Sequence, residues 1–229
     1  MSERSRFELH SGERQTGAEL GKIRKDHVFR YECALECIQR YMGQEIEAGG
    51  LFGLDIFCAT GYGTYLLGRS LPCVMWGIEG SEEAVRVSRQ AYPNQNLLFS
   101  CKIYPFVLPQ ERFDFIVCIE SLEHVDEYSS YFKMLSAALV PKGTLILTVP
   151  NEELLPLRIH KGKFHVKHFY RKEIEEIAHS ENFMVKAYFG QNLYLLNEEA
   201  IVGNLSEEEM QLVENQDGQI MQFAMQKKS

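Results

Sequence analysis

The sequence predicts an α/β fold built on a seven-stranded, mainly parallel sheet whose last strand runs antiparallel. Three observations carry this. Short apolar runs alternate with helical stretches of about ten residues, the pattern of βαβ crossovers. The last two apolar runs lack a convincing helix between them, and parallel pairing needs a crossover of about a dozen residues or more. The chain has 229 residues, 45% hydrophobic and 24% charged, which is enough for one large domain with its own core.

Residues 2 to 22 are polar, include Gly12, Gly17 and Gly21, and show no sustained period, so an irregular arm is expected there. From Ile23 to Met42 the apolar residues Val28, Tyr31, Leu35 and Ile38 recur at helical spacing, with Gly43 as the stop and Gly49-Gly50 as a loop. This divides the chain into an N-terminal arm and helix, 1–45, and a main domain, 46–229. Leu51 to Phe57 reads as the first strand and Gly61 to Arg69 as a helix. Cys73 to Glu79 is the second strand, followed by a helix from Ser81 to Ala91, with Ser81 as N-cap and Glu82 and Glu83 suiting the positive helix start. Leu97 to Ile103 and Phe113 to Glu120 are strands three and four. A helix from Tyr128 to Val140 ends at the Pro141-Lys142-Gly143 turn, and Thr144 to Val149 follows as strand five. A helix from Arg171 to Ser180 precedes strand six, Phe183 to Phe189. The acidic stretch 205–215 suggests a short helix before strand seven, Ile220 to Met225.

The net charge of −8 speaks against a nucleic-acid partner. The six cysteines form no C-x-x-C pair and read as free, mostly buried thiols. No apolar run reaches the roughly 18 residues of a membrane span, and the N-terminus lacks a signal-peptide core, so a cytoplasmic location is expected.

In a parallel sheet, ligands bind beyond the carboxyl ends of the strands. Three such ends stand out. After strand one, Asp55-Ile56-Phe57-Cys58-Ala59-Thr60-Gly61-Tyr62-Gly63 forms a strand, turn and helix start where the backbone can approach a ligand. After strand two, Gly77-Ile78-Glu79-Gly80-Ser81 places a carboxylate where it can accept both ribose hydroxyl hydrogens. After strand four, Glu120-Ser121-Leu122-Glu123-His124 gathers three ionisable groups in a loop facing the cleft. His124 there is either a base working near neutral pH or a structural histidine that pins the loop.

These stretches in this order resemble the class I S-adenosylmethionine-dependent methyltransferases. The nearest look is to the small-molecule type 11-like branch of quinone-pathway and glycan O-methyltransferases. The resemblance runs from His27-Val28-Phe29-Arg30-Tyr31 through Leu122-Glu123-His124, Pro141-Lys142-Gly143 and Phe164-His165-Val166 to the last strand. It implies a Rossmann-like fold with helices on both faces and a capping role for the N-terminal helix. It implies S-adenosyl-L-methionine as cofactor, held by His27, Arg30, Tyr31, Asp55, Phe57, Ala59, Gly61, Glu79, Gly80, Cys101, Lys102 and Glu120. His124 would be the base and Glu123 its orienter. The acceptor it implies is a small molecule or a sugar methylated at oxygen, with a place in polysaccharide biosynthesis.

The family loop is commonly Asp/Glu-x-Gly-x-Gly-x-Gly; here Phe57 and Ala59 stand at its first two glycine positions and Gly61 at the third. Alanine is a mild change if φ stays negative. The Phe57 ring must turn into the core or narrow the pocket. Strand three, Ser100-Cys101-Lys102-Ile103, also ends without the family's frequent acid. These departures leave open a non-catalytic binding or partner module on the same scaffold. His165 and His168 lie three apart, but no third metal ligand is apparent, and no metal is assigned.

Overall fold

A computed structural model describes residues 6–11, 14–160 and 162–229. The rest of the expected arm, residues 1–5 and 12–13, lies outside the described residues, as does 161. The main sheet has eight strands in the order β3-β2-β1-β4-β5-β10-β6-β9. Its parallel part is β1 (Leu51–Ile56), β2 (Cys73–Glu79), β3 (Leu97–Cys101), β4 (Phe113–Ile119) and β5 (Leu139–Pro150). β10 (Ile220–Lys227) runs antiparallel between β5 and β6 (Phe183–Gln191), as expected of the last strand.

The helices lie on both faces. α1 (Lys25–Tyr41), α3 (Tyr62–Ser70) and α4 (Glu82–Ala91) share one core with Phe115, Val117 and Ile119 of β4. α5 (Tyr128–Ala138) and α6 (Arg171–Ser180) share the other with Ile116 and Cys118. The alternation along β4 is the period of two that a strand buried on both faces must satisfy. α1 buries Val28, Tyr31, Ala34, Cys37 and Ile38, the apolar stripe of its sequence, into the core that the sheet builds. Ser81 caps α4, its hydroxyl accepting the Ala84 amide at 3.3 Å.

Four expectations are corrected. Gly43 does not end the helical region but opens a second short helix, α2 (Gly43–Ala48), which stops at Gly49 with φ +72°. The sheet has eight strands rather than seven, because β9 (Val213–Glu214) adds to the edge of β6. A separate hairpin, β7 (Tyr194–Leu196) with β8 (Ile201–Asn204), fills part of the expected loop. The stretch 205–215 is not a helix: Glu209 takes the Ser206 amide and hydroxyl at 2.9 and 2.7 Å, closing a turn. Among the described residues, no helix is long and apolar enough to cross a membrane.

Candidate functional site

β1 and β4 are neighbours, and the sheet grows away from them in opposite directions, through β2 and β3 on one side and β5 on the other. That is the switch point where an α/β sheet opens a crevice. A cavity of about 720 Å³ lies there. His27, Tyr31, Phe57, Ala59, Glu79, Gly80, Lys102, Glu120 and His124 line it, so nine of the expected residues are brought together.

Glu79 is the best-held of them. Its Oε2 accepts the Ala59 amide at 3.0 Å, and its Oε1 accepts the Ser81 amide at 2.9 Å and Arg14 Nη2 at 3.2 Å. Arg14 ties together the arm: Nη1 also donates to the carbonyls of Arg6 and Glu8 and to the Ser11 hydroxyl. Phe7 packs over Gly80, where any side chain would meet its ring. The arm therefore folds across the cavity. Arg6, Phe7, Arg14 and Gln15 join its wall, residues that a pattern search could not find because the arm has no period.

The loop after β1 adopts an unusual backbone. Phe57 has φ +62°, Ala59 φ +49° and Gly61 φ +78°. The condition for a mild change at Ala59, a negative φ, is thus not met: this chain holds non-glycine residues in the left-handed region, at about 1–2 kcal/mol each. Glu120, across the cavity, is a third such residue at φ +49°. Strained residues of this kind cluster at functional sites. The Phe57 ring does both things the sequence allowed, packing 5.8 Å from the Tyr131 ring and still forming part of the wall.

Five expected residues do not line the cavity. Asp55 is fully buried beneath it, accepting the Tyr31 hydroxyl at 3.0 Å and the Thr64 hydroxyl at 2.6 Å. Burial raises its carboxyl to about 7, with those two bonds opposing. Tyr31 reaches Asp55 across Gly63, where any Cβ would collide with the tyrosine ring. Gly61 shapes the turn, a side chain there being blocked by Phe99 and Ser88. Cys101 is exposed, its thiol resting on the Gly80 carbonyl at 3.5 Å. Arg30 sits behind the wall, bonded to Gln191 Oε1 at 2.7 Å and Asp26 Oδ2 at 3.0 Å.

Glu123 is wholly buried, and its backbone carbonyl accepts the Val166 amide at 2.8 Å. The Phe164 carbonyl lies 3.2 Å from His124 Nδ1. A carbonyl only accepts, so the proton sits on Nδ1 and Nε2 keeps its lone pair. Burial lowers the His124 imidazole to about 4. Tyr104 also lines the cavity. Tyr65 instead stacks on Tyr92 at 4.4 Å, and Tyr170 is an exposed residue at the start of α6.

The residues fit a nucleoside-bearing sulfonium amino acid. Glu79, a carboxylate held by two amides, is of the type that can accept ribose hydroxyl hydrogens. Arg30 Nη1 and Glu120 Oε1 are sealed from solvent without a hydrogen bond. Arg30 Nη1 stands 3.7 Å from Glu120 Oε2 in an ion pair, which sets a cation and an anion side by side at the edge of the cavity.

A crevice at the switch point with an acid closing β2 defines a nucleoside-binding α/β fold. Residues 31–200 match the family model of a methyltransferase domain, and the chain belongs to that family. Its class is the S-adenosylmethionine-dependent methyltransferases, with S-adenosyl-L-methionine as cofactor. The chain is 30% identical over 118 residues to a ubiquinone biosynthesis O-methyltransferase of Coxiella burnetii, 49% of each chain. To the Actinobacillus pleuropneumoniae enzyme of that name it is 33% identical over 119 residues, 47% of this chain and 50% of the relative. It thus spans about half the length of the curated relatives it matches. A methyltransferase structure from Thermotoga maritima aligns at TM-score 0.61 and 18% identity, over 89% of this chain and 91% of that one. One from Mesorhizobium loti aligns at 0.61 and 15%, over 78% and 92%. At such identities the likeness is one of fold.

Proposed function

We infer that the protein transfers a methyl group to an oxygen of a small organic acceptor that carries its hydroxyl on an apolar, ring-bearing body. The observation that carries this is one cavity lined by both Glu79 and His124, the His124 ring held at Nδ1 by the Phe164 carbonyl. Phe57, Tyr104, Val125 and Phe164 add apolar surface to the same lining. Those four side chains suit the ring of an aromatic hydroxyl. The aligned relatives, named for ubiquinone biosynthesis, support the same choice. They lend no support to a role in polysaccharide biosynthesis.

When bound, S-adenosylmethionine supplies a methyl group already activated on a positively charged sulfur. Glu79 accepts hydrogen bonds from the ribose hydroxyls. Arg30, behind the wall, would act through Glu120, which its ion pair holds in place. Glu120 places negative charge near the sulfonium and favours it electrostatically. His124 Nε2 takes the proton from the acceptor hydroxyl, while Phe164 fixes the ring that does so. The arm and the aromatic wall keep water out and hold the acceptor in line, which is most of what this reaction needs.

Calorimetric titration with S-adenosylmethionine and S-adenosylhomocysteine is the first test, followed by turnover on phenolic acceptors. Micromolar binding that falls about tenfold or more in Glu79→Ala is expected. His124→Ala should abolish turnover and spare cofactor affinity; a fully active variant would reject the base assignment. A second reading, a non-catalytic module, draws on the Arg14–Glu79 ion pair and on Phe57 in the wall. No binding up to millimolar cofactor by folded protein would favour it.

A further inference from the structure

The loop between β5 and α6 holds a cluster that methyl transfer does not use. His160, His165 and His168 each offer a ring nitrogen, and the three nitrogens lie within 4.8 Å of one another. The sequence shows only the His165–His168 pair; folding brings the third histidine to it.

Several features of the trio are those of a metal site. His168 is 2% exposed, and its Nδ1 donates to the Leu155 carbonyl at 2.7 Å. Its Nε2 therefore carries a lone pair, at present taken by His165 Nδ1 at 2.8 Å. An outer bond from one ring nitrogen to a backbone carbonyl is how metal-ligating histidines are oriented. His160 Nδ1 is sealed from solvent and makes no hydrogen bond. Gly162 leaves the space the His165 ring needs, since any side chain there would strike it.

We propose that His160, His165 and His168 bind one divalent transition ion of the zinc class per chain, with the fourth position open to water. Three imidazoles suit zinc and its neighbours, whereas magnesium and calcium take oxygen ligands. Zinc holds nitrogen at about 2.0–2.1 Å, so the ring atoms must draw together. His160, half-buried on a surface loop, supplies that movement. The ion would clasp the loop that carries Phe164. The His165 ring already packs edge-on against His124 with centroids 4.8 Å apart. Bound metal would therefore act as a positioning element for the His124 ring rather than as a reactant.

The test uses full-length, tag-free protein stripped with a chelator and titrated with zinc by calorimetry, with cobalt(II) absorption as a second readout. One ion per chain is expected, with tetrahedral cobalt bands, a higher melting temperature and no response to magnesium. His160→Ala should weaken zinc binding by at least about tenfold and remove the melting shift, while its metal-free melting temperature matches the parent's. His165→Gln repeats the test if His160→Ala misfolds. Glu123→Gln distinguishes the trio from the neighbouring group of Glu123, His124 and His165, and should keep binding. No binding at millimolar zinc would overturn the proposal. So would equal binding by His160→Ala and parent, or loss in Glu123→Gln with retention in His160→Ala.

Discussion

Ala59 and Phe57 share a backbone problem and differ in what their side chains return. At φ +49° the Ala59 side chain offers only a half-buried methyl against its strain. Ala59→Gly should raise stability by about 1 kcal/mol, read as a higher melting temperature. Phe57→Gly frees the same kind of backbone but deletes the ring packed on Tyr131, and should lower it. Asp55 makes a pH prediction. Its folded pKa of about 7 exceeds the ordinary 3.8, so the folded state holds the proton more tightly. Its contribution to stability is complete below about 3.8 and is lost as pH rises through 7. Asp55→Asn retains an acceptor for Tyr31 and does not titrate. The variant should gain on the parent by up to a few kcal/mol between pH 4 and pH 7; a constant gap in melting temperature would refute this. None of these backbone angles is written in a residue type. Phe and Ala are where glycine is normal, so the sequence shows the departure but not that the strain is kept.

The arm and the β5–α6 loop illustrate why some elements escape a sequence reading. Both lack a hydrophobic period and take their shape from single polar contacts, Arg14 to Glu79 in one and Val166 to the Glu123 carbonyl in the other. The strands and long helices were readable because burial on two faces or one stripe dictates their pattern. β7, β8 and β9 are two to four residues long, too short for any pattern. Gly43 misleads because a helix can resume after a single kinked residue, here Met42 at φ −129°. Arg14→Ala should loosen the arm. Limited proteolysis within residues 6–24 and dissociation of S-adenosylhomocysteine should both quicken, and unchanged rates would leave the ion pair without a closing role.

The sheet order explains why the candidate site was partly visible. A crevice must open where β1 and β4 diverge, so Glu79 after β2 and His124 after β4, on either side of β1, reach the same cavity. The place of His160 does not follow from the sheet order, since it depends on how a loop of irregular turns folds back. Ligand in this crevice touches the arm, both sheet halves and the α1 side together. S-adenosylhomocysteine at 100 times its Kd should therefore stabilise the fold by about 2.7 kcal/mol, raising the melting temperature by roughly 5–10 °C. Glu79→Ala should show little of that rise at the same concentration. A full rise in the variant would move the ribose elsewhere.

Tyr31 lies across Gly63 to reach Asp55, and that contact links three positions on three separate elements. A larger residue at 63 evicts the tyrosine ring, and the loss of the ring strips Asp55 of a donor. Descendants of this sequence should therefore exchange the three residues as a set. A library randomised at all three should yield survivors in which a smaller residue at 31 accompanies alanine or serine at 63, with a neutral residue at 55. Single replacements at 63 should be rare among them.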